Sequence, residues 1–522
     1  MADERAEFYK NKIENVLADR SKINDIVDVI TGVENKNESI SLLCIEGIGR
    51  ILSELIQSNI CPVKTKKTKF AKSAEKPEEI VEVWLTSNYD LTVKKLLMLL
   101  KSPFVKISLE ALKALMKFVK AESTKNPQKY WFSNDLFLKI LINLIDGSYD
   151  NSMTVKNFIS YLHFNDVCYY TLRNINKVIT RTEKGLMMNN HVITGGNFPR
   201  NIYQLLSVVT IPEEETDLSN LYVVSMENVR VNHSVFRHSV MNLSAYKKVF
   251  TEAWMAFLGL SLDSSLYRHI LLDLEHKVIP YFVDPKILMD FLVDSYNAGG
   301  VTSILALNGL FVLIHKHNLD YPDFYKKLYS LFDVEVFHMK YRARFFYLAD
   351  LFLMSSHLPA YLVAAFIKRL SRLALRAPPY AIAMVIVFIG NLIRRHPNCK
   401  VLIHQKEKQA FDEQNKDERC INLDPFQEDE VDPSKCNALK SSLWELETLR
   451  HHYYPGIKSL VEFLEKPIGK TEADVSKWFD SSYESLLNKE FSGINKNNVF
   501  LEYQPPKELM QKGFDDLWCV GN

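Results

Sequence analysis

The stretch His357-Leu358-Pro359-Ala360-Tyr361-Leu362-Val363-Ala364-Ala365-Phe366-Ile367-Lys368-Arg369-Leu370-Ser371-Arg372-Leu373-Ala374-Leu375-Arg376-Ala377-Pro378-Pro379 decides the class of fold. Leu362, Phe366, Leu370 and Leu373 recur every three or four residues, the period of one helix face. Proline stands at both ends, where its fixed φ and missing N–H suit a first turn and not a helix interior. The pattern predicts a helix over 359–376, preceded by one over 339–357 and followed by one over 379–396. Joints this short imply antiparallel neighbours stacked side by side.

The same pattern appears upstream. Leu96, Leu97, Leu99 and Leu100 close one apolar face, and Ser102-Pro103 breaks the helix. Leu109, Leu112, Leu115, Phe118 and Val119 then resume at helical spacing. Two helices in about 40 residues is the size of an armadillo or HEAT unit. Strand signals are confined to Tyr222-Val223-Val224 and Val229 to Val231, read as short extended pieces of a connector. The expected fold is all-α, an armadillo/HEAT-like helical solenoid with disordered loops and no sheet. Its expected regions are an N-terminal repeat region (1–240) with a basic loop near 64–79, and a helical repeat domain (241–404). A charged linker (405–438) and a C-terminal helical segment (439–522) follow. Loop closure depends weakly on length, so deleting 408–434 should leave the fold intact.

Composition agrees with that reading. Apolar residues make up 47% of the 522 and charged residues 24%, the balance of a chain with a real core. Glycine supplies 17 residues, about 3% against about 7% in average usage, which disfavours Gly-rich phosphate loops and many tight β-turns. The formal net charge is +1, so a nucleic-acid role would need a local basic face. Cys44, Cys61, Cys168, Cys399, Cys420, Cys436 and Cys519 are scattered, with no Cys-x-x-Cys pair; they read as reduced thiols of a cytosolic or nuclear protein, without zinc. The apolar runs Ser303 to Ile314 and Tyr380 to Ile393 fall short of the roughly 20 residues a membrane span needs, so both read as buried helices.

Catalytic signatures reduce to decoys. Gly47-Ile48-Gly49 resembles the start of a dinucleotide fingerprint, but Leu52 stands where the third glycine belongs, so it reads as a small-residue spot in a helix. Gly469-Lys470-Thr471 lacks the earlier glycine of a P-loop, Leu464 occupying its place. His315 and His317 lie two apart and cannot share a helix face as metal ligands. No catalytic residue, cofactor or metal is expected.

Charge is the most informative feature. From Lys340 to Arg395 there are nine basic residues (Lys340, Arg342, Arg344, Lys368, Arg369, Arg372, Arg376, Arg394, Arg395) and one acid, Asp350. Lys368, Arg372 and Arg376 are spaced four apart with Arg369 beside them, a basic ridge next to the apolar face. Two readings stand: a solvated face, or contact with RNA phosphate or an acidic partner segment. The shortage of counter-charges favours the second. The lysines from Lys64 to Lys72 read equally as an exposed loop or a nuclear localisation signal.

Particular residues also carry a resemblance. They are Ala306-Leu307-Asn308-Gly309-Leu310-Phe311, Tyr321-Pro322-Asp323-Phe324-Tyr325, Lys340-Tyr341-Arg342-Ala343-Arg344-Phe345-Phe346, Asn391-Leu392-Ile393-Arg394-Arg395-His396-Pro397 and Ser441-Ser442-Leu443-Trp444-Glu445-Leu446. With 357–366 and 375–379, these make 245–465 resemble the CCAAT-binding-factor (CBF) domain family, on its nucleolar complex (Noc) branch. The resemblance implies a non-catalytic assembly factor for small ribosomal subunit biogenesis. It implies a heterodimer with a large nucleolar partner protein in the small-subunit processome, with pre-ribosomal RNA a candidate contact. The implied location is nucleus and nucleolus, and the short apolar runs disfavour membrane insertion. The rival reading is a solenoid transport or trafficking adaptor.

Overall fold

The computed structural model describes residues 2–35, 37–58, 77–124, 130–183, 196–212, 214–224, 238–319, 321, 323–355, 357–404, 424–465, 469 and 471–493. Most of the basic loop near 64–79 lies outside these residues; its last three, 77–79, open a helix. The chain forms two compact units, Met1–Asp320 and Tyr321–Asn522. Among the described residues the regular structure is helical throughout, without a strand.

The N-terminal unit begins with α1 (Ala2–Ala18), α2 (Ile26–Gly32), α3 (Glu38–Gln57), α4 (Pro77–Leu99), α5 (Val105–Ser123), α6 (Asn134–Ile145) and α7 (Ser152–Ile159). It continues with α8 (Asn165–Glu183), α9 (Phe198–Leu206), α10 (Leu243–Leu258), α11 (Ser264–Asp273), α12 (Met289–Asn297) and α13 (Gly300–His317). Packing is serial: α3 lies on α1 and α5, α5 on α4 and α7, α8 on α6 and α10, and α13 on α11 and α12. Each helix buries its stripe against near neighbours in sequence, which is how a repeat stack grows in one dimension.

The Gly47-x-Gly49 pair lies inside α3, where two helices approach closely. A Cβ at Gly47 would run into the Ile13 side chain of α1, and one at Gly49 would lie 3.3 Å from the Ala114 Cβ of α5. A larger side chain cannot enter without parting the helices. Gly49→Leu is therefore expected to cost about 1–3 kcal/mol by overpacking, read as a lower urea midpoint. An unchanged midpoint would mean that the α3–α5 contact is looser than described.

The Tyr222-Val223-Val224 piece is a connector, and its backbone donors go to a side chain instead of a strand. Asp166 in α8 is fully buried and accepts the N–H groups of Val167 (2.8 Å), Tyr222 (2.9 Å) and Val223 (3.1 Å). Asn165 adds a bond from its N–H to Asn220 O and one from Nδ2 to Asp217 O, both 2.8 Å. The helix α13 ends at Asn318, whose φ of 49° is left-handed, and Leu319 N–H returns to Leu313 O at 3.1 Å. This termination satisfies carbonyls that a helix end would leave bare.

The C-terminal unit contains α14 (Phe324–Leu331), α15 (Arg342–Leu353), α16 (Ala360–Ala374), α17 (Pro379–Arg395), α18 (Trp444–Leu449), α19 (Pro455–Val461), α20 (Ser476–Phe479) and α21 (Tyr483–Gly493). The three helices expected over 339–396 are α15, α16 and α17, the first shorter at both ends. Pro378 caps α17 and Pro379 occupies its first position, as proline's geometry favours. Every residue of α17 from 381 to 393 is buried, with α16, α19, α20 and α21 packed around it. No helix among the described residues is long and apolar enough to cross a membrane.

The expected charged linker needs correction. Residues 405–423 lie outside the described part, but 424–438 is packed: Phe426, Cys436 and Ala438 are buried and Asp424 is mostly so. A 408–434 deletion removes Asp424 and Phe426, and the contacts below show why the fold would not tolerate that.

Candidate functional site

The sequence places its candidate cations on α15, α16 and α17, and the structure shows what each one meets. Lys368, on α16, has an exposed fraction of 0%. Its Nζ lies 2.8 Å from Asp424 Oδ2 and 2.7 Å from Glu445 Oε1, and it donates to Ser442 O at 2.6 Å. One turn on, Arg372 pairs with Asp424 at 2.6 Å and with Glu445 at 2.8 Å, its guanidinium 4.6 Å from the Trp444 ring centre. Trp444 Nε1 donates to Asp424 Oδ2 at 2.8 Å, Ser441 Oγ to Asp424 Oδ1 at 2.5 Å, and Phe426 N–H to the same oxygen at 3.1 Å. Two cations and two carboxylates therefore close a neutral clasp that fastens 424–445 onto α16.

The clasp perturbs its acids in opposite directions. Burial tends to raise the Asp424 carboxyl, but the bonds from Lys368, Ser441, Trp444 and Phe426 outweigh it and hold the group well below the usual carboxylate range. Burial wins at Glu445, whose side chain is fully enclosed, and raises it despite Lys368.

The idea of an unopposed ridge is thus corrected for Lys368 and Arg372. Their counter-charges arrive from 52 to 77 residues further along the chain, outside any helical window. Arg369 is also engaged: Nε donates to Phe332 O at 2.8 Å, Nη1 to Glu428 O at 3.4 Å, and its guanidinium sits 4.6 Å from the Tyr329 ring centre. Arg395 forms a two-pronged pair with Asp350 (2.8 and 3.1 Å) and reaches Glu472 at 2.7 Å. Arg342 donates to Phe337 O, Phe479 O and Ser481 O at 3.1, 3.1 and 2.7 Å, with its guanidinium over Tyr380. Arg394 is half-buried and bonds Asn391 Oδ1 at 3.1 Å; Arg344 is half-buried too. Lys340 and Arg376 remain exposed, the latter 3.9 Å from Glu428.

These cations mostly fasten the C-terminal unit together: the clasp joins α16 to 424–445, Arg395 joins α15, α17 and Glu472, and Arg342 holds the stretch around α20. Sequence reasoning missed Asp424 and Glu445. A signal for the first existed in Asp424-Pro425-Phe426, an aromatic residue after a proline inside a charged run. Among the described residues no group of three or more His, Cys, Asp or Glu is placed to hold a metal ion, and Cys44, Cys168, Cys399 and Cys436 are buried thiols.

A stack of short helices, with a clasped unit built on α15 to α18, defines a helical-repeat protein carrying a CBF-type domain. Residues 303–461 match the CBF/Mak21 family, and 9–184 match the TPR repeats of nucleolar complex protein 4-like proteins. The chain is 36% identical to nucleolar complex protein 4 homolog A of Xenopus laevis, covering 98% of this chain and 94% of that one. It is 35% identical to the Homo sapiens nucleolar complex protein 4 homolog, covering 96% and 94%. An uncharacterised Schizosaccharomyces pombe protein shares 32% identity over 98% of both chains. The chain belongs to the nucleolar complex protein 4 family. Over 9–184 the matching repeats are of the TPR type, where the helix spacing near 79–120 suggested an armadillo or HEAT unit; both are helical solenoids.

Proposed function

We propose that this protein is a non-catalytic assembly factor for the small ribosomal subunit. In this reading it works in the nucleolus as a scaffold of the small-subunit processome, in a heterodimer with a large nucleolar partner. It supports rRNA processing and pre-ribosome maturation and export. The observation that carries the reading is the near-end-to-end similarity to proteins named for a nucleolar complex. The fold supports it physically, because serially stacked helices offer long surfaces for partners. Lys340 and Arg376, the exposed members of the basic set, are the candidate contacts for RNA or an acidic partner.

Affinity purification of the tagged chain from nuclear extract, with mass spectrometry and RNA analysis, tests the reading. Small-subunit precursors and one large nucleolar protein are expected in stoichiometric yield. Recovery of import receptors and cargo in their place would transfer the chain to the adaptor class. The pair Lys340→Glu and Arg376→Glu, which leaves the clasp alone, is expected to weaken recovery of RNA or partner by several-fold. Full recovery of both would leave these cations as ordinary surface charge.

A further inference from the structure

The N-terminal unit carries a charged face that the basic set above does not include. On α5, Lys106, Lys113, Lys117 and Lys120 are all exposed. At about 100° per residue they fall within an arc of about 60°, and at about 1.5 Å per residue they span about 21 Å of helix. The opposite side of α5, including Ala111, Leu115, Phe118 and Val119, is buried. Of the two acids on α5, Glu110 is taken by Lys113 at 2.9 Å. The other, Glu122, is buried and accepts from Tyr89 Oη at 2.5 Å. On neighbouring α3, Glu46 is paired with Arg50 of its own helix. Lys106 and Lys117 have no ion pair among the described residues. Two half-buried tyrosines border the stripe: Lys120 lies 5.3 Å from the Tyr222 ring centre, and Tyr161 is near Lys113.

We infer that this lysine face of α5 docks the phosphate backbone of RNA. Of the four, Lys113 has a carboxylate beside it, so like charges predominate along this narrow face, whereas solvated helix faces usually mix signs. Residue type and length together favour RNA over an acidic protein segment. The stripe contains no arginine, so it grips neither a carboxylate nor a phosphate in a fixed two-pronged geometry. Lysine ammoniums act as point charges, suited to phosphates whose binding is driven by counterion release and needs no fixed register. The stripe is also long enough to meet several successive phosphates, since a duplex carries a charge about every 1.7 Å of its axis. With a net charge of +1 the whole molecule cannot supply this attraction, so it must be local. The proposal deepens the assembly-factor reading, and the identity of the RNA as ribosomal rests on that reading.

The test uses the full chain and a fluorescent 20-nucleotide poly(U) RNA, titrated from 50 to 200 mM salt. A variant carrying Lys106→Gln, Lys113→Gln, Lys117→Gln and Lys120→Gln is compared with a control carrying glutamine at Lys10, Lys286, Lys435 and Lys458, exposed lysines on other elements. The α5 variant is expected to bind at least about tenfold more weakly at low salt, with a log–log salt slope shallower by about 3. The control should bind like the parent chain, and lysine-to-arginine changes on α5 should retain affinity. Equal losses in variant and control, or an unchanged slope, would overturn the proposal. So would preference for a polyglutamate peptide over the RNA, which would give the face to an acidic protein. Association with small-subunit precursors is scored separately: stripe-dependent RNA binding by a chain that never enters those particles would defeat the assembly reading and leave this one standing.

Discussion

Replacing Glu445 by Ala is expected to destabilise the C-terminal unit by about 3–5 kcal/mol, the cost of leaving a buried cation without its partner. The cation is Lys368, with an exposed fraction of 0% and a 2.7 Å contact to Glu445. Asp424 would remain at 2.8 Å, but it is shared with Arg372, which loses its own 2.8 Å contact to Glu445 in the same substitution. The loss should be local first. Hydrogen exchange followed by mass spectrometry should show lost protection over 424–446, and buried Cys436 should become reactive to a thiol reagent. A double variant, Lys368→Met with Glu445→Leu, removes both charges and keeps the Arg372–Asp424 pair. Replacing a buried ion pair by apolar residues of similar volume is often neutral, so this variant should recover most of the loss. If the single variant kept full protection over 424–446, the clasp would not be what holds that segment.

The clasp also limits which charge changes can report on function. Reversing Lys368, Arg372 and Arg376 together puts a carboxylate into a fully enclosed site facing Asp424 and Glu445. Loss of RNA or partner would then follow from the opened fold, whatever the native contacts are. Lys340 and Arg376 are exposed and can be reversed without that ambiguity.

The boundary between what the chain discloses and what it hides is the range of a contact along the sequence. The helices α15, α16 and α17 were legible because Leu362, Phe366, Leu370 and Leu373 repeat within one helix, and because Pro359, Pro378 and Pro379 punctuate it. The Gly47-Ile48-Gly49 spot was legible because a failed nucleotide motif inside a helix leaves close packing as its remaining use. The clasp was hidden: Asp424 and Glu445 reach Lys368 and Arg372 from 52 to 77 residues away, and composition makes 405–438 look like solvated chain. Charge counting over a window sees the cations and not the anions that fold back onto them. The α5 lysines are the converse case, since their spacing is entirely local and could have been read beside Leu109, Leu112 and Leu115. What the sequence lacked was the exposure of that face.

Asp166→Ala is expected to cost the N-terminal unit roughly 3–5 kcal/mol, because three backbone N–H groups lose their acceptor together. These are the donors of Val167, Tyr222 and Val223, within 2.8–3.1 Å of a carboxylate that is fully buried. Asp166→Asn should cost less, since one amide oxygen can still serve Val167 and Tyr222, which share a single carboxylate oxygen. The asparagine variant also isolates a pH effect. Burial lifts the Asp166 carboxyl from 3.8 to about 6, in spite of the three N–H bonds that favour its charge. Between those two values the folded chain holds a proton that the unfolded chain has released, so stability falls as pH rises through the window. The parent should thus be less stable at pH 7 than at pH 4 by about 2–2.5 kcal/mol from this group alone, most of a shift of about two units, since pH 4 already lies just above the unfolded value. Asparagine does not titrate, so the deficit of Asp166→Asn relative to the parent should be largest near pH 4 and shrink toward pH 7. Comparing the two chains cancels the titration of every other group. Urea unfolding of both at half-unit steps measures this directly, and a deficit that stayed flat across the window would give Asp166 an ordinary carboxylate behaviour and remove burial as the dominant influence on it.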